Sequence, residues 1–476
     1  MTLPLTPEQA AILAHDTSRP LQVVAYAGTG KSTTIGLLDR ASPPSPRLYL
    51  AFNKHIVAEM KDEENPRLAP TTDCRTINSL GARVFSSMIS PRVLINKKKT
   101  TEIFKEVIKP FSKDIINELW ESYDEIRAAY DLCKAYGYLP TSHPKAAASL
   151  ATQTDVSLAS DGPVPHWDVV DSMLVLSIRR AFAGDIDFND QLYMPALFAT
   201  SWPRYSRLYL DEAQDFSRVN YAMIRKMAGK STVIYSVGDP YQSIYAFRGA
   251  MTDGMARQRK EFSCETLPLS VSFRCPSAIV ANARWRAPGF KAFRNGGEVQ
   301  TIDQFSGICV EDFVENSSVI CRNNAPLFSL AMRLLARGRS VDMAGTDIGP
   351  RLVSILRRLG DMSISRPAIL AAIDEWEERH EASKSTFDTA ECLRAIASSP
   401  AAHDLGTTVA YVEHLYKQKG TIHLTTGHKA KGLEWDTVYH LDPSLLGRSE
   451  QDLNLRYVIE TRSKESYFEI DSRGIS

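Results

Sequence analysis

The segment Leu21–Ser32, LQVVAYAGTGKS, constrains the fold of this chain more than any other stretch. Leu21 to Ala25 is a short β-branched, apolar run, and Lys31 to Arg40 reads as a helix. Strand, glycine-rich turn, Lys-Ser and helix in that order form the context in which a phosphate loop is credible. Gly28 and Gly30 let backbone N–H groups turn inward around phosphate oxygens, with Ala27, Thr29 and Thr33 in the same candidate nucleotide-binding set, and the helix N-terminus adds its dipole. Lys31 would place a cation on the β- and γ-phosphates, and the Ser32 hydroxyl would ligate Mg²⁺. The generic pattern begins with glycine, where this chain has Ala25.

A parallel sheet covered by helices is expected around this turn. Leu48 to Phe52 is a second strand, and strand signals return at Arg207–Leu210, Thr232–Val237 and Leu267–Leu269. Such alternation of strand and helix argues for α/β architecture. A second set of strands is expected at Ser318–Cys321, Val341–Ala344, Ile422–Thr425, Thr437–Leu441 and Tyr467–Ile470. Between these sets, Thr100 to Tyr138 carries apolar residues at helical spacing, from Ile103 and Phe104 to Trp120, Tyr123 and Ile126. The Ala146–Val164 stretch reads as a loop, and Arg351–Lys419 as helical with DEWEERHEA on an exposed face. The chain is therefore expected to form two α/β domains, each with a helical insertion. The boundaries are 1–84 with 190–266, insertion 85–189, then 267–350 with 420–476, and insertion 351–419.

Composition narrows the partners. The 56 basic residues equal the 56 acidic ones, so no bulk positive field draws nucleic acid in. Any such binding must use a local groove and stacking. Lys97-Lys98-Lys99 is the only tight basic run and reads as a solvated loop. The 7 cysteines include no Cys-x-x-Cys pair, which argues for reduced thiols and against a zinc or iron–sulfur site. No apolar stretch reaches the ~18 residues of a membrane span, and Met1 to Gln9 lacks the pattern of a secretory leader. A cytoplasmic chain is expected, nucleoid-associated or nuclear according to the cell.

The segment Leu208-Tyr-Leu-Asp-Glu-Ala-Gln-Asp215 is the second half of a nucleotide site. An apolar strand ends in adjacent acids: Asp211 suits Mg²⁺, and Glu212 is placed to orient or deprotonate an attacking water.

Asp211-Glu-Ala-Gln-Asp215, followed by Val-Gly-Asp-Pro-Tyr-Gln-Ser-Ile-Tyr-Ala-Phe-Arg-Gly at 237–249, resembles the UvrD/Rep-type superfamily 1 DNA helicases. Ala51-Phe-Asn-Lys54 is similar to the F-box DNA helicase branch in particular. Thr76–Leu80, Asp187-Phe-Asn-Asp190, Ser272-Phe-Arg274, Thr425–Trp435 and Leu455–Arg462 resemble further motifs of the family, in its order. The resemblance implies two RecA-like domains, ATP and Mg²⁺ as cofactors, and 3′ to 5′ movement on single-stranded DNA. Gln9 would read adenine, Phe273 would stack on it, and Gln242 would sense the γ-phosphate. Arg274 and Arg462 would reach that phosphate from the second domain, so that ATP draws the domains together. Gly432 and Glu434 would flank the nucleotide. Phe52, Tyr245 and Phe247 would stack on bases, with Asn53, Thr76, Arg248 and His428 contacting bases or phosphate. Single strands and single/double-strand junctions are the implied partners of a monomer.

Several positions depart from the family. Asn78 replaces a histidine, Phe273 a tyrosine and Phe247 a tryptophan. Leu453 and Asn454 stand where two arginines are usual, and Glu460 is close enough in sequence to pair with Arg462. The insertion at 351–419 is shorter than in full-length relatives, and no C-terminal nuclease tail is expected. The short insertion leaves a second reading open: a DNA-dependent ATPase that strips protein filaments without unwinding.

Overall fold

The computed structural model describes residues 5–62, 66–90, 92–140, 164–343, 348–379, 384–399, 402–415 and 419–475. Of the loop expected at Ala146–Val164, residues 146–163 lie outside them. The chain divides into two compact units, residues 1–25 with 30–269, and residues 26–29 with 270–476.

The first unit is built on a six-stranded parallel sheet. Its strands are β1 (Leu21–Ala25), β2 (Arg47–Ala51), β3 (Thr72–Thr76), β6 (Arg207–Leu210), β7 (Val233–Gly238) and β8 (Glu265–Leu269). The two short strands between β3 and β6, β4 (Leu94–Ile95) and β5 (Asp185–Ile186), pair only with each other. The order across the sheet is β3-β2-β6-β7-β1-β8. Helices cover both faces, as parallel sheets require. The pleat sends Leu48, Leu50, Leu208 and Leu210 to one face, against Ile77, Leu80 and Met223. It sends Tyr49, Ala51, Tyr209 and Tyr235 to the other, against Ile35 and Leu38. Truncating one such leucine to alanine would cost roughly 2–5 kcal/mol. The β1, β6 and β7 spans agree with the sequence to within a residue. Edge strand β3, TDCRT, escaped it because its pattern is polar and it pairs with β2 alone.

The helical stretch between β3 and β6 has a core of its own. Helices Lys99–Ile108, Lys113–Glu121, Tyr123–Tyr136 and His166–Phe182 bury Ile103, Phe104, Leu119, Ile126, Tyr130, Met173 and Leu174 together. Lys99 departs from the expected solvated run. Lys97 and Lys98 are exposed, but Lys99 is fully buried, its Nζ 2.6 Å from Asp190 Oδ2 and 2.9 Å from the Ser177 carbonyl. Lys134, also fully buried, donates to Asp187 at 2.6 Å and to Asp190 at 2.7 Å. The register of helix Lys99–Ile108, which points its first residue inward, makes the difference.

The second unit holds another six-stranded parallel sheet. The short pair β9 (Val271–Ser272) and β10 (Lys291–Ala292) precedes it. The sheet comprises β11 (Glu298–Ile302), β12 (Ser318–Cys321), β13 (Val341–Met343), β14 (Ile422–Thr426), β15 (Trp435–Leu441) and β16 (Ser463–Ile470), ordered β11-β16-β15-β12-β14-β13. The exposed edge strand β11 gave no sequence signal. Between β13 and β14 lie helices Ile348–Leu356, Arg366–Arg379, Lys384–Ala397 and Leu405–Leu415. Their Leu352, Ile369, Ile373, Leu393, Leu405 and Val409 join the same apolar cluster as Val319, Phe328, Ile422 and Leu424 of the sheet layer.

Candidate nucleotide and nucleic-acid sites

The candidate nucleotide site of the first unit lies at the carboxyl ends of its strands, where ligands of open α/β sheets bind. Gly28 has φ 67° and Gly30 φ 77°, left-handed values that favour glycine, and Gly30 caps helix Lys31–Ala41. Thr29 is buried and its hydroxyl closes the turn on the Tyr26 carbonyl at 2.9 Å. Residues 26–29 belong to the second unit, within which Ser272 Oγ donates to the Ala27 carbonyl at 2.9 Å and the Phe273 N–H to the Gly28 carbonyl at 2.8 Å.

Asp211, at the tip of β6, is the focus of the polar groups. Its Oδ2 accepts from Tyr49 Oη at 2.5 Å and from Ser32 Oγ at 3.3 Å. Its Oδ1 accepts the Glu212 N–H at 2.8 Å. Burial, then the Glu212 charge, pushes the Asp211 carboxyl up to about 6, while Tyr49 and Lys31 pull it back. Glu212 sits at φ 51°, an uncommon conformation for a non-glycine residue. From there a row of hydrogen bonds crosses to β7. Gln214 Nε2 donates to Glu212 Oε2 at 2.5 Å, and Gln214 Oε1 accepts the Asp239 N–H at 3.0 Å. Gln242 Nε2 donates to Asp239 Oδ2 at 2.7 Å. The structure thus brings Ser32, Asp211, Glu212 and Gln242 into one connected set, with Lys31 acting electrostatically on both Asp211 and Asp239. Sequence reading missed Tyr49, Gln214 and Asp239; the last two stood inside recognised motifs.

The residues fit Mg²⁺ and a nucleotide. A carboxylate and a hydroxyl on one side are hard oxygen donors of the kind Mg²⁺ takes, together with phosphate and water. Among the described residues no cluster of three or more His, Cys, Asp or Glu forms a dedicated metal cage. Gln9 is buried, its Oε1 fixed by the Thr6 N–H at 3.0 Å and its Nε2 by Thr34 Oγ1 at 3.2 Å, which ties helix Pro7–Leu13 to the helix after the loop.

The aromatic residues named from sequence also come together in the first unit. Phe52 and Tyr245 stack with centroids 5.8 Å apart and planes 13° from parallel. Phe247, 60% exposed, tilts against Tyr245 at 6.1 Å. The Arg248 guanidinium lies 5.5 Å from both the Tyr245 and Phe247 rings. The turn is seated by Gly249, φ 84°, where a Cβ would lie 2.5 Å from that of Ala135. Asn53 and Thr76 serve as helix caps, accepting the N–H groups of Ile56 at 2.9 Å and Ser79 at 3.1 Å. Asn78 Nδ2 donates to the Phe188 carbonyl at 3.3 Å.

The remaining named residues belong to the second unit. Arg274 Nε donates to Glu434 Oε2 at 2.6 Å, so these two pair with each other. Phe273 packs on Phe293 with centroids 4.9 Å apart. Arg462 is buried, its Nε on the Val458 carbonyl at 2.9 Å and its Nη1 on that of Leu433 at 3.3 Å. Gly432 is exposed at φ 90°, and His428 is half-buried in the short helix Gly427–Ala430. Glu460, expected close enough to pair with Arg462, accepts from Arg456, one helical turn earlier, at 2.9 Å and from Trp285 Nε1 at 3.0 Å.

A glycine-rich loop after β1, an acidic pair after β6 and a parallel sheet between them define a P-loop nucleotide-binding domain. Residues 5–263, more than half of the chain, match the UvrD/REP helicase N-terminal domain. The chain belongs to the UvrD/REP helicase family. It is 26% identical over 297 residues to a probable DNA helicase II homolog of Rickettsia felis, covering 59% of this chain and 44% of that protein. It is 37% identical over 110 residues to DNA helicase II of Escherichia coli, covering 21% and 15%. Over 528 aligned residues it is 24% identical to F-box DNA helicase 1 of Gallus gallus, covering 97% of this chain and 48% of the relative. The chain thus spans less than half the length of these curated relatives. Among the described residues no helix is long and apolar enough to cross a membrane.

Proposed function

We propose that this chain is an ATP-driven motor that moves 3′ to 5′ along single-stranded DNA and separates duplex at single/double-strand junctions. The observation that carries the reading is the unbroken hydrogen-bonded row from Ser32 through Asp211, Glu212, Gln214 and Asp239 to Gln242. It runs from the phosphate loop to within three residues of the stacked Tyr245. A change at the nucleotide therefore has a polar route to the surface that would hold bases.

In this reading Lys31 and the loop amides bind the β- and γ-phosphates of ATP, and Ser32 and Asp211 hold Mg²⁺, which supplies charge neutralisation there. Glu212, oriented by Gln214, takes the proton of the attacking water. Gln242 reports the γ-phosphate. Arg274 and Arg462 are proposed to stabilise transferring phosphate; planar, permanent cations suit that role. Phe52, Tyr245, Phe247 and Arg248 stack on and contact a single strand regardless of its sequence, assisted by Asn53, Thr76 and His428. The proposed motor domains are 1–84 with 190–266 and 267–350 with 420–476, acting as a monomer wherever the cell keeps its DNA.

Strand displacement on tailed duplexes tests this. Release from a 3′-tailed duplex in the presence of ATP, and none from a 5′-tailed one, is expected; equal release from both would refute the polarity. One observation favours a second reading. The described buried apolar residues of the four helices between β13 and β14 belong to the core of the second sheet. A chain so reduced would strip protein from DNA without unwinding, and removal of a bound protein with no strand release would establish that alternative.

A further inference from the structure

Tyr49 lies outside every recognised motif, yet it makes the shortest contact to Asp211. It sits in β2, whose neighbour is β6, with Tyr49 in register with Tyr209. Asp211 is two residues further along β6, or about 6.6 Å at the ordinary strand rise. A tyrosine leaning along its strand spans that distance, and its hydroxyl arrives 2.5 Å from Asp211 Oδ2. The ring is fully buried among Ile35, Leu38, Tyr209 and Tyr235. Its position is therefore set by packing, and the carboxylate is set by it. Oδ1 is held by the Glu212 N–H and Oδ2 by Tyr49 and Ser32, which fixes both oxygens of the plane.

We propose that Tyr49 is a positioning residue for Mg²⁺ at the nucleotide site: its hydroxyl holds the Asp211 carboxylate in the orientation that receives the metal. The proposal rests on the ATPase reading above. Groups that orient a metal-binding carboxylate without touching the metal typically contribute 10–100-fold in metal affinity, and the expected effect here is about 10-fold or more.

The test uses the full chain and a fluorescent ADP, titrated in excess EDTA and over a Mg²⁺ series. In Tyr49→Phe the Mg²⁺ concentration for half of the metal-dependent gain in ADP affinity is expected to rise about 10-fold, with affinity in EDTA unchanged. Tyr209→Phe removes a neighbouring buried hydroxyl, bonded to Ser42 at 3.2 Å, and is expected to leave the Mg²⁺ half-point in place. This control separates loss of a buried hydroxyl from loss of carboxylate orientation. A half-point for Tyr49→Phe within about twofold of wild type, far below the 10-fold expectation, overturns the proposal. So does a lower half-point, which would make Tyr49 a competitor of the metal, and so does a parallel loss of affinity in EDTA, which would mean a distorted loop. If the wild-type chain binds no ADP with or without Mg²⁺, the ATPase reading itself fails, and that outcome is distinct from the others.

Discussion

Replacing Asp190 by asparagine should destabilise the first unit by about 3–5 kcal/mol, the cost of breaking a buried charge pair from one side. Lys99, Lys134 and Asp190 are fully buried, and Asp187 nearly so. Two positive and two negative charges share one desolvated pocket, so the set is neutral. Burial works against the Asp190 carboxylate, but Lys134 and Lys99 outweigh it and hold the carboxyl below its ordinary range. Asparagine keeps the shape and leaves one uncompensated positive charge. Lys99, whose pKa burial already lowers, can escape by releasing its proton. At pH 7 that release costs at most about 4.6 kcal/mol from a reference pKa near 10.4, at 1.36 kcal/mol for each unit. Asp190→Asn should lower the midpoint of thermal unfolding by roughly 6–20 °C for a domain of this size. A lysine whose folded pKa is depressed binds fewer protons in the native state, so the variant's deficit should shrink as pH rises, by about 2.7 kcal/mol between pH 7 and 9. Lys99→Met combined with Asp190→Asn restores neutrality and should recover most of the loss. Thermal unfolding of wild type, Asp190→Asn and the double variant, with hydrogen exchange in helices Lys99–Ile108 and Tyr123–Tyr136, reads this directly. A loss below about 1 kcal/mol, or no recovery in the double variant, would show that Asp190 does not neutralise the buried lysines.

Phe247→Ala should weaken single-stranded DNA binding about 5- to 150-fold, the equivalent of one lost stack, while leaving unfolding unchanged because the ring is largely exposed; fluorescence anisotropy at fixed salt measures the first and thermal unfolding the second. Glu460 is buried, and its carboxyl is pushed up to about 7, chiefly by that burial. A raised acid binds extra protons in the native state, so the second unit should lose stability as pH rises from about 4.5 to 7, on the order of 3 kcal/mol; urea unfolding of wild type and Glu460→Gln across that window should show the slope only in the former. Gly30→Ala, forcing a side chain to φ 77°, should cost about 1–2 kcal/mol and impair nucleotide binding, read by thermal unfolding with and without ADP.

The strands that carry the site were legible because each ends in chemistry: β1 in a glycine-rich turn, β6 in two acids, β7 in Gly238-Asp239. Their central places gave continuous apolar runs. Of the four edge strands, β8 and β13 kept an apolar signal, while β3 (TDCRT) and β11 (EVQTI) were not legible because their sequences are mostly polar. Lys99 was misread because charge alone suggests solvent, and only the register of its helix against Asp190 makes it a buried partner. Tyr49 reads in sequence as one more apolar residue of a buried strand. Its role depends on β2 lying beside β6, two strands separated by more than 150 residues, and sequence spacing does not contain that adjacency.

ATP turnover by the purified chain, with and without single-stranded DNA and beside Lys31→Ala, tests whether the nucleotide site is coupled to a bound strand. Turnover is expected to rise strongly with single strands, to rise little with blunt duplex, and to vanish in Lys31→Ala at every condition. Turnover equal with and without single strands would contradict this, because the hydrogen-bonded row from Ser32 to Gln242 would then couple the nucleotide to nothing.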